Sequence, residues 1–339
     1  MNRVHFDFDC RMPRIITHSM AQCFQDCRVK FDYRYNREIV PRASVPALDF
    51  GSAVHAGLEF WFKFGVKAGA VEAAIERGAR CGLDVGDQIK VRVLLEKYCE
   101  VYRTEDFEVL DVEAAFDMPL VNPRTGRASR TFRFDGKSDG LVRKDGKVWI
   151  LEHKTTSSIT DAYIDRIEID AQIALYAWAW ERQGMEVAGA IYDIIEKPGI
   201  KWKVGETDEE FEARRAALAA KSKTGKSTAK KQEPDTYDTF LERVRAEVTA
   251  DSFRRVEVPL TKERMAEAVS HFWATAKDIR DADRTANYYP NSGNCTKFGQ
   301  VCPYLSLCRA HGDLTQCTDE YRREKAHIEL EADHAGPQV

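Results

Sequence analysis

The stretch from residue 107 to residue 195 constrains the fold most strongly, because strand patterns alternate there with one long apolar helix pattern. Phe132 and Phe134 alternate with polar residues, as on a half-buried strand. The pair Asp145-Gly146 then predicts a tight hairpin turn, because both residues tolerate positive φ. The remaining elements predicted here are a strand-like stretch after residue 107, a strand over 148–151, a helix over 162–183 and a strand over 187–195. Three strands in a meander, a helix and a further strand are typical of an α/β core with a mixed sheet.

Helical patterns flank this core on both sides. Residues 50–67 place apolar side chains at helical spacing, which predicts an amphipathic helix. The other predicted helices lie over 19–35, over 70–104 as a pair separated at Gly82 and Gly86, and over 206–220, 236–249, 261–284 and part of 312–339. Residues 221–232 carry five lysines and no acidic residue. We interpret this segment as a solvated linker, with a DNA-contacting arm as the alternative.

Composition and charge exclude several classes of protein. Hydrophobic residues make up 43% of the 339 residues and charged residues 31%, which suffices for a core and excludes a disordered chain. No apolar run approaches the roughly 20 residues of a membrane span, and the charged N-terminus lacks the pattern of a secretory signal, so we expect a cytosolic protein. The net charge of −4 means that any DNA binding must come from a local patch.

Two predicted neighbouring strands carry a candidate active site. Asp139 precedes the hairpin, and Glu152 and Lys154 follow it. Alternate residues of a strand share a face, so Glu152 and Lys154 point the same way, and Asp139 can lie beside them. Two carboxylates can hold Mg²⁺ or Mn²⁺, while a lysine can orient a water molecule or stabilise charge on a phosphate. A surface ladder of salt bridges between the strands is the alternative.

Two other segments carry side chains suited to such a site. Gln172 and Tyr176 are four residues apart and therefore lie on one face of the predicted apolar helix. His55 ends the segment Gly51-Ser52-Ala53-Val54-His55 and is a candidate metal ligand, because a neutral imidazole binds transition metals well. Each has a structural alternative: a satisfied polar pair in the core for Gln172 and Tyr176, and a packing role for His55.

In their order along the chain these motifs resemble the RecB-type branch of the PD-(D/E)XK nuclease superfamily. The motifs are Gly51-x-x-x-His55, Gly136-x-x-Asp139-Gly140, Glu152-x-Lys154 and Gln172-x-x-x-Tyr176. The resemblance implies a restriction-endonuclease-like core with a mixed central sheet flanked by helices. It also implies a metal-dependent DNA exonuclease that hydrolyses phosphodiester bonds and leaves a 5′-phosphate.

The same resemblance implies a role for each site residue. His55, Asp139, Glu152 and the backbone carbonyl of His153 would bind Mg²⁺ or Mn²⁺, and Lys154 would assist the attacking water. Gln172 and Tyr176 would order the site and contact DNA. His153 stands where the family often has an apolar residue, and strand alternation predicts that its side chain points to the opposite face.

A cysteine-rich segment forms a second candidate site. Cys295, Cys302 and Cys308 fall within fourteen residues that show few signals of regular structure, which suggests metal ligands. Cys27 is the candidate fourth ligand, and Cys23, one helical turn away, is its competitor. These cysteines are similar to those of the iron–sulfur subgroup of the same nucleases, which includes AddB-type and CRISPR-associated exonucleases. The resemblance implies a 4Fe–4S cluster, although the proline that usually follows the first cysteine is lacking here, and structural Zn²⁺ is the alternative. The scattered Cys10, Cys81, Cys99 and Cys317 are interpreted as structural or incidental.

These predictions divide the chain into six segments. They are an N-terminal segment 1–49 with Cys27, a helical region 50–106 with His55, a nuclease core 107–205, an inserted charged helix and lysine-rich linker 206–250, a C-terminal segment 251–312 with three cysteines, and a polar tail 313–339. The expected substrate is single-stranded DNA or DNA ends, in recombination, repair or CRISPR adaptation. No helicase motif is present, so a helicase, recombinase or CRISPR adaptation protein would be a partner in trans, as for compact phage-encoded or CRISPR-linked nucleases. The alternatives are an inactive DNA-binding or scaffold protein on the nuclease fold and a zinc-stapled structural module.

Overall fold

The computed structural model describes residues 13–43, 46–297 and 300–327. The strands of these residues, numbered in chain order, are β1 (Arg14–Ile16), β2 (Ile39–Pro41), β3 (Glu108–Val121), β4 (Ala128–Lys144), β5 (Lys147–Thr156), β6 (Val187–Glu196), β7 (Phe253–Pro259), β8 (Thr296–Lys297), β9 (Gln300–Val301) and β10 (Tyr321–Arg323). The α-helices are α1 (His18–Asp26), α2 (Arg28–Phe31), α3 (Pro46–Phe64), α4 (Lys67–Cys81), α5 (Val85–Val101), α6 (Asp161–Glu168), α7 (Ala171–Arg182), α8 (Asp208–Lys221), α9 (Tyr237–Glu247), α10 (Lys262–Thr285) and α11 (Leu305–Arg309). None of the helices in these ranges is long and apolar enough to cross a membrane.

The central sheet is mixed and has helices on both faces, as expected. Its strand order is β1-β4-β5-β6-β7, and β3 pairs with the other edge of β4. The predicted meander of β3, β4 and β5 is antiparallel, whereas β6 runs parallel to β5 after the α6–α7 crossover. The hairpin between β4 and β5 turns at Asp145 and Gly146, which both adopt the positive φ that the sequence predicts.

Each face of the sheet is covered by its own group of helices. On one face α1, α7 and α10 pack over an aromatic core, in which Phe134 meets Phe272 at 4.8 Å between ring centroids. On the other face α3, α5 and α9 enclose Leu58, Tyr98 and Phe240, all fully buried. Burial of these large apolar side chains stabilises the sheet between the two layers. The candidate site residues therefore lie between two rigid layers.

The N-terminal and C-terminal parts of the described chain contact each other. β10 pairs with β2, and the side-chain amides of Asn291 and Asn294 both donate to the carbonyl of Asp26. The predicted helix over 19–35 is interrupted at Cys27, whose extended backbone ends α1 and precedes α2. Cys27 therefore projects from a break between helices and faces the C-terminal segment.

Several predicted elements differ from the observed ones. The single helix predicted over 162–183 is wrong: it is two helices, because Asp170 accepts a hydrogen bond from Gln172 N and starts α7 anew. The strand predicted from residue 148 through the Glu152-x-Lys154 motif is present and extends to Thr156. Strand β7 was not predicted, because its charged residues mask the alternation.

The N-terminal and C-terminal predictions fall partly outside the described residues. Residues 1–12, which include Cys10, and residues 328–339 lie outside them. Within the N-terminal segment 1–49 the structure shows Arg14–Ile16 as a strand ahead of α1. Over 312–327 no α-helix is present. That stretch instead contains a 3₁₀ turn at Leu314–Gln316 and strand β10, which finds its partner in β2.

Candidate active site

The site lies at a fork in the edge of β4. Along one edge β4 pairs with β3, but along the other edge it pairs with β1 up to Phe134 and with β5 from Gly140 onwards. Among the described strands none pairs with residues 135–139 on that edge. Asp139 is the last residue before pairing with β5 begins, so its carboxylate stands where the two strands separate. A break of this kind in a sheet leaves room for a substrate.

Asp139 is held by the helix above the sheet and by the neighbouring strand. Its Oδ1 lies 3.3 Å from Nδ1 of His55 on α3, and its Oδ2 accepts a hydrogen bond of 2.7 Å from the backbone N–H of His153. Burial alone would raise the pKa of Asp139, but the positive charge of His55 and these hydrogen bonds lower it well below its usual range. Burial lowers the pKa of His55, but the pairing with Asp139 outweighs this effect and raises the pKa to about 9.

Glu152 and Lys154 lie on one face of β5, as the alternation predicts. Lys154 Nζ donates to Glu152 Oε1 at 2.7 Å and to Gln172 Oε1 at 3.2 Å. Gln172 Nε2 also donates to Glu152 Oε1, at 3.2 Å. Burial raises the pKa of Glu152, although Lys154 opposes that shift, and Glu152 in turn raises the pKa of Lys154 against the effect of burial. Because Asp170 starts α7 beside the sheet, Gln172 reaches the motif from the first turn of the helix.

Tyr176 lies one turn further along α7 and belongs mainly to the core. It is 6% exposed, and its ring meets that of Phe116 edge to face at 5.1 Å between centroids. Burial raises the pKa of its hydroxyl far above the usual value. Its position fits a residue that orders Gln172.

His153 contributes its backbone to the fork and its side chain to the opposite face. The imidazole is 3% exposed and its Nδ1 lies 3.1 Å from Asp193 Oδ2 on β6. In an extended strand the N–H and C=O of one residue project from the same edge. Since the N–H of His153 points at Asp139, its carbonyl also faces the separation between β4 and β5.

Sequence reasoning missed two charged residues beside Asp139. Glu113 on β3 has a φ of 57° and lies between the register pairs Val112–Gly140 and Ala114–Ser138, which places it across from Asp139. Its carboxylate pairs with Lys137 Nζ at 2.5 Å. Burial raises the pKa of Glu113, Lys137 lowers it, and Asp139 raises it further. If the register of β3 on β4 is known, counting back from Gly140 identifies Glu113. The left-handed backbone conformation of Glu113, however, has no signal in the sequence.

The donor set suits a divalent cation, although the side chains do not already surround one point. Within residues 13–43, 46–297 and 300–327 no three His, Cys, Asp or Glu side chains stand close enough together to hold a metal ion. Asp139 is paired instead with His55, and Glu152 with Lys154. One imidazole nitrogen and several carboxylate and carbonyl oxygens are nonetheless the ligands that Mg²⁺ or Mn²⁺ accepts.

The four predicted cluster cysteines line one cavity of about 280 Å³, which lies between residues 26–30 and residues 290–308. Cys27 Sγ accepts a hydrogen bond from Asn291 N at 3.5 Å, and Cys302 N donates to Cys295 O at 2.8 Å. Burial and the other three thiols raise the pKa of Cys308. Cys23 is not among the cavity's lining residues: it packs against the main core, and burial raises its pKa to about 11. These four thiols share a cavity without forming a closed ligand set in the described residues.

Comparison with known proteins identifies the family. The family model of the PD-(D/E)XK nuclease superfamily matches residues 15–309, which include the fork, Gln172 and the cysteine cavity. The chain belongs to the PD-(D/E)XK nuclease superfamily. The mixed sheet flanked by helices is consistent with the core of these nucleases, and no curated protein matches the chain.

Two solved structures are similar to this superfamily member at low identity. One is a Eubacterium rectale protein named "Putative exonuclease", 13% identical, with a TM-score of 0.46 over 95% of this chain and 93% of that one. The other is SSO0001, 12% identical, with a TM-score of 0.28 over 71% of this chain and 76% of that one. Because both TM-scores lie below 0.5, these likenesses support no statement about function.

Proposed function

We propose that this chain is a divalent-metal-dependent deoxyribonuclease that acts as an exonuclease. The observation that carries the proposal is the convergence of Asp139, Glu152 and Lys154 at the fork, with His55 above it, in a member of a nuclease superfamily. A surface ladder of salt bridges would by itself explain why these charges are paired. However, Glu152 is 5% exposed and hydrogen-bonded to both Lys154 and Gln172, and burying its charge costs free energy that a surface ladder would not cost.

His55, Asp139, Glu152 and the carbonyl of His153 would hold Mg²⁺ or Mn²⁺. When bound, the cation supplies a water of lowered pKa and neutralises charge on the phosphate. Lys154 has its own part: its ammonium group, held by Glu152 and Gln172, orients the attacking water and stabilises negative charge that develops on the phosphate. Gln172 keeps Lys154 and Glu152 at fixed separation, and Tyr176 supports the helix turn that carries Gln172.

The substrate and setting follow from the resemblance of the motifs. We propose single-stranded DNA or DNA ends as substrate, with a 5′-phosphate product, in recombination, repair or CRISPR adaptation. A helicase, recombinase or CRISPR adaptation protein would deliver the DNA in trans.

The cysteine cavity would hold a 4Fe–4S cluster through Cys27, Cys295, Cys302 and Cys308. Four thiolates suit an iron–sulfur cluster, and structural Zn²⁺ is the alternative. The shared cavity and the extended backbone at Cys27 support the assignment. Iron, sulfide and zinc analysis of protein purified without oxygen distinguishes the two: about four iron and four sulfide per chain support the cluster, and one zinc per chain supports the alternative.

The test of catalysis is digestion of end-labelled single-stranded and double-stranded DNA with Mn²⁺. The wild type should degrade DNA and should stop when EDTA is added, and Lys154→Ala should lose about 10²–10³-fold in rate. Lys144→Ala is the matched control, because Lys144 ends the neighbouring strand and pairs with Asp106 and Glu257 instead. No digestion by a folded wild type that still binds DNA would favour the inactive scaffold. Equal digestion by wild type and Lys154→Ala would place the chemistry elsewhere.

A further inference from the structure

A buried polar network lies directly behind the proposed metal site. It comprises Asp193, His153, Arg255, Tyr98 and Glu105, and we call it the Asp193 network. His153 on β5, Asp193 on β6 and Arg255 on β7 are register partners, so their side chains form one row across three neighbouring strands. The proposed reaction does not require this row, and the family resemblance leads one to expect an apolar residue at position 153.

Both carboxylate oxygens of Asp193 have hydrogen-bond partners, either in the row or on helix α5. Its Oδ2 lies 3.1 Å from His153 Nδ1 and accepts a hydrogen bond from the Tyr98 hydroxyl. Its Oδ1 accepts from Arg255 Nε at 3.4 Å. Asp193 and Tyr98 are fully buried. If one partner is lost, the buried charge of Asp193 is poorly compensated, which costs free energy. The network therefore favours the side-chain positions in which all these hydrogen bonds are made.

Arg255 anchors the far end of the network. Its Nη2 donates to the Tyr98 hydroxyl at 3.0 Å and to Glu105 Oε1 at 3.0 Å. Together with Tyr98, Arg255 holds the Asp193 carboxylate that faces His153. The imidazole of His153 therefore contacts a carboxylate that two other side chains hold in place.

The near end of the network contacts two proposed metal ligands. The backbone N–H of His153 donates to Asp139 Oδ2 at 2.7 Å. The imidazole meets the ring of His55 edge to face at 5.9 Å between centroids, and it stacks on Phe62 of α3 at 5.3 Å. A shift of His153 would therefore displace both Asp139 and His55. An apolar residue at this position could fill the space but could not be oriented by Asp193.

We infer that His153, clamped by Asp193, is a positioning residue that keeps Asp139 and His55 next to each other at the proposed cation site. This inference rests on the proposed function. Partners that orient metal ligands typically contribute about 10–100-fold to metal affinity or activity. The effect should therefore be visible in metal binding itself, without DNA.

The experiment is titration of the full chain with Mn²⁺ by calorimetry in the absence of DNA, followed by the Mn²⁺ dependence of DNA digestion. Asp193→Ala should raise the Kd for Mn²⁺ by about 10-fold or more. Asp193→Asn keeps one acceptor oxygen but loses the charge opposite Arg255, so its Kd should lie between those of Asp193→Ala and the wild type. Tyr98→Phe removes a single donor to Asp193 and should raise the Kd by about 2–5-fold, which is the expected loss of one hydrogen bond. This variant decides the question if Asp193→Ala does not fold.

Asp283→Ala is the matched control. Asp283 binds Arg14, Asn36 and Tyr288 in a second polar network, which lies between the N-terminal segment and α10. This variant should lose thermal stability and keep the wild-type Kd for Mn²⁺. Wild-type Kd values in folded Asp193→Ala, or in Tyr98→Phe when the former is unfolded, would overturn the inference while leaving an active nuclease. A wild type that neither binds Mn²⁺ nor digests DNA would instead overturn the proposed function itself.

Discussion

The fork and the cysteine cavity are built in opposite ways. At the fork, Asp139, Glu152 and Lys154 come from one hairpin, and the sheet register sets their distances. At the cavity, Cys27 comes from the first helices and the other three cysteines from residues 295–308, with almost the whole chain between them. The fork is set by local strand geometry, whereas the cavity depends on the docking of two distant segments.

This difference predicts two kinds of failure. Damage at the fork should remove chemistry and leave the fold, because the two helical layers and the sheet pack without the charged side chains. Damage at the cavity should lower the stability and leave the chemistry of the folded molecules, because the cavity joins two segments that are distant in the sequence. The fold should persist, since β2 also pairs with β10 and Tyr33 packs against Tyr304.

The largest expected effect is at the fork. Glu152→Gln keeps the shape and the hydrogen bond to Lys154 but removes the charge proposed to hold the cation, so DNA hydrolysis should fall by about 10²–10³-fold. The melting temperature should change by less than about 2 °C, which for a chain of this length corresponds to roughly 1 kcal/mol. Rates of DNA digestion and thermal melts of the two proteins measure both quantities. Activity within tenfold of the wild type would contradict the proposed role of Glu152.

The next effect is at the cavity and should appear in stability. Cys27→Ala should lose iron, or zinc, and should lower the free energy of unfolding by up to about 4 kcal/mol, the closure entropy of a very long loop. Urea denaturation and metal analysis of the purified protein provide the measurement.

Cys23→Ala is the control for this comparison, because Cys23 lies on α1, four residues before Cys27, but packs against the main core. It should keep its metal. If Cys23→Ala and Cys27→Ala lose metal equally, the choice of Cys27 over Cys23 as the fourth ligand is contradicted. If neither loses metal or stability, the cavity does not join the two segments.

The smallest expected effect tests how much the exact placement of Lys154 and Glu152 contributes to the rate. Gln172→Ala removes one hydrogen bond to Lys154 and one to Glu152, each worth about 1 kcal/mol, so the rate should fall by roughly 30-fold. The folded state should persist, because Ala is the better helix former. Initial rates at saturating DNA and Mn²⁺ measure the change. A loss as large as that of Glu152→Gln would indicate that Gln172 contacts the reacting groups directly.

Much of the site follows from local patterns. Asp145-Gly146 marks the turn, and strand alternation places Glu152 and Lys154 on one face and His153 on the other, all as found. Helical spacing likewise places Gln172 one turn before Tyr176, but it does not reveal the new helix start at Asp170. The left-handed backbone at Glu113 and the charged strand β7 also lack a local signal, since both depend on pairing with residues distant in the sequence.

The sequence by itself determined the hairpin, through the turn residues Asp145 and Gly146, and the alternation that places Glu152 and Lys154 on one face, because side chains on a strand have a period of two residues. The order of the motifs added a resemblance to a nuclease superfamily. Only the tertiary structure decided that β1 pairs with the first half of β4, which opens the fork at Asp139. It also decided that Cys27 rather than Cys23 lines the cavity, and that Asp193 and Arg255 align behind His153. These features arise from strand register and from contacts between distant segments, and local periodicity specifies neither.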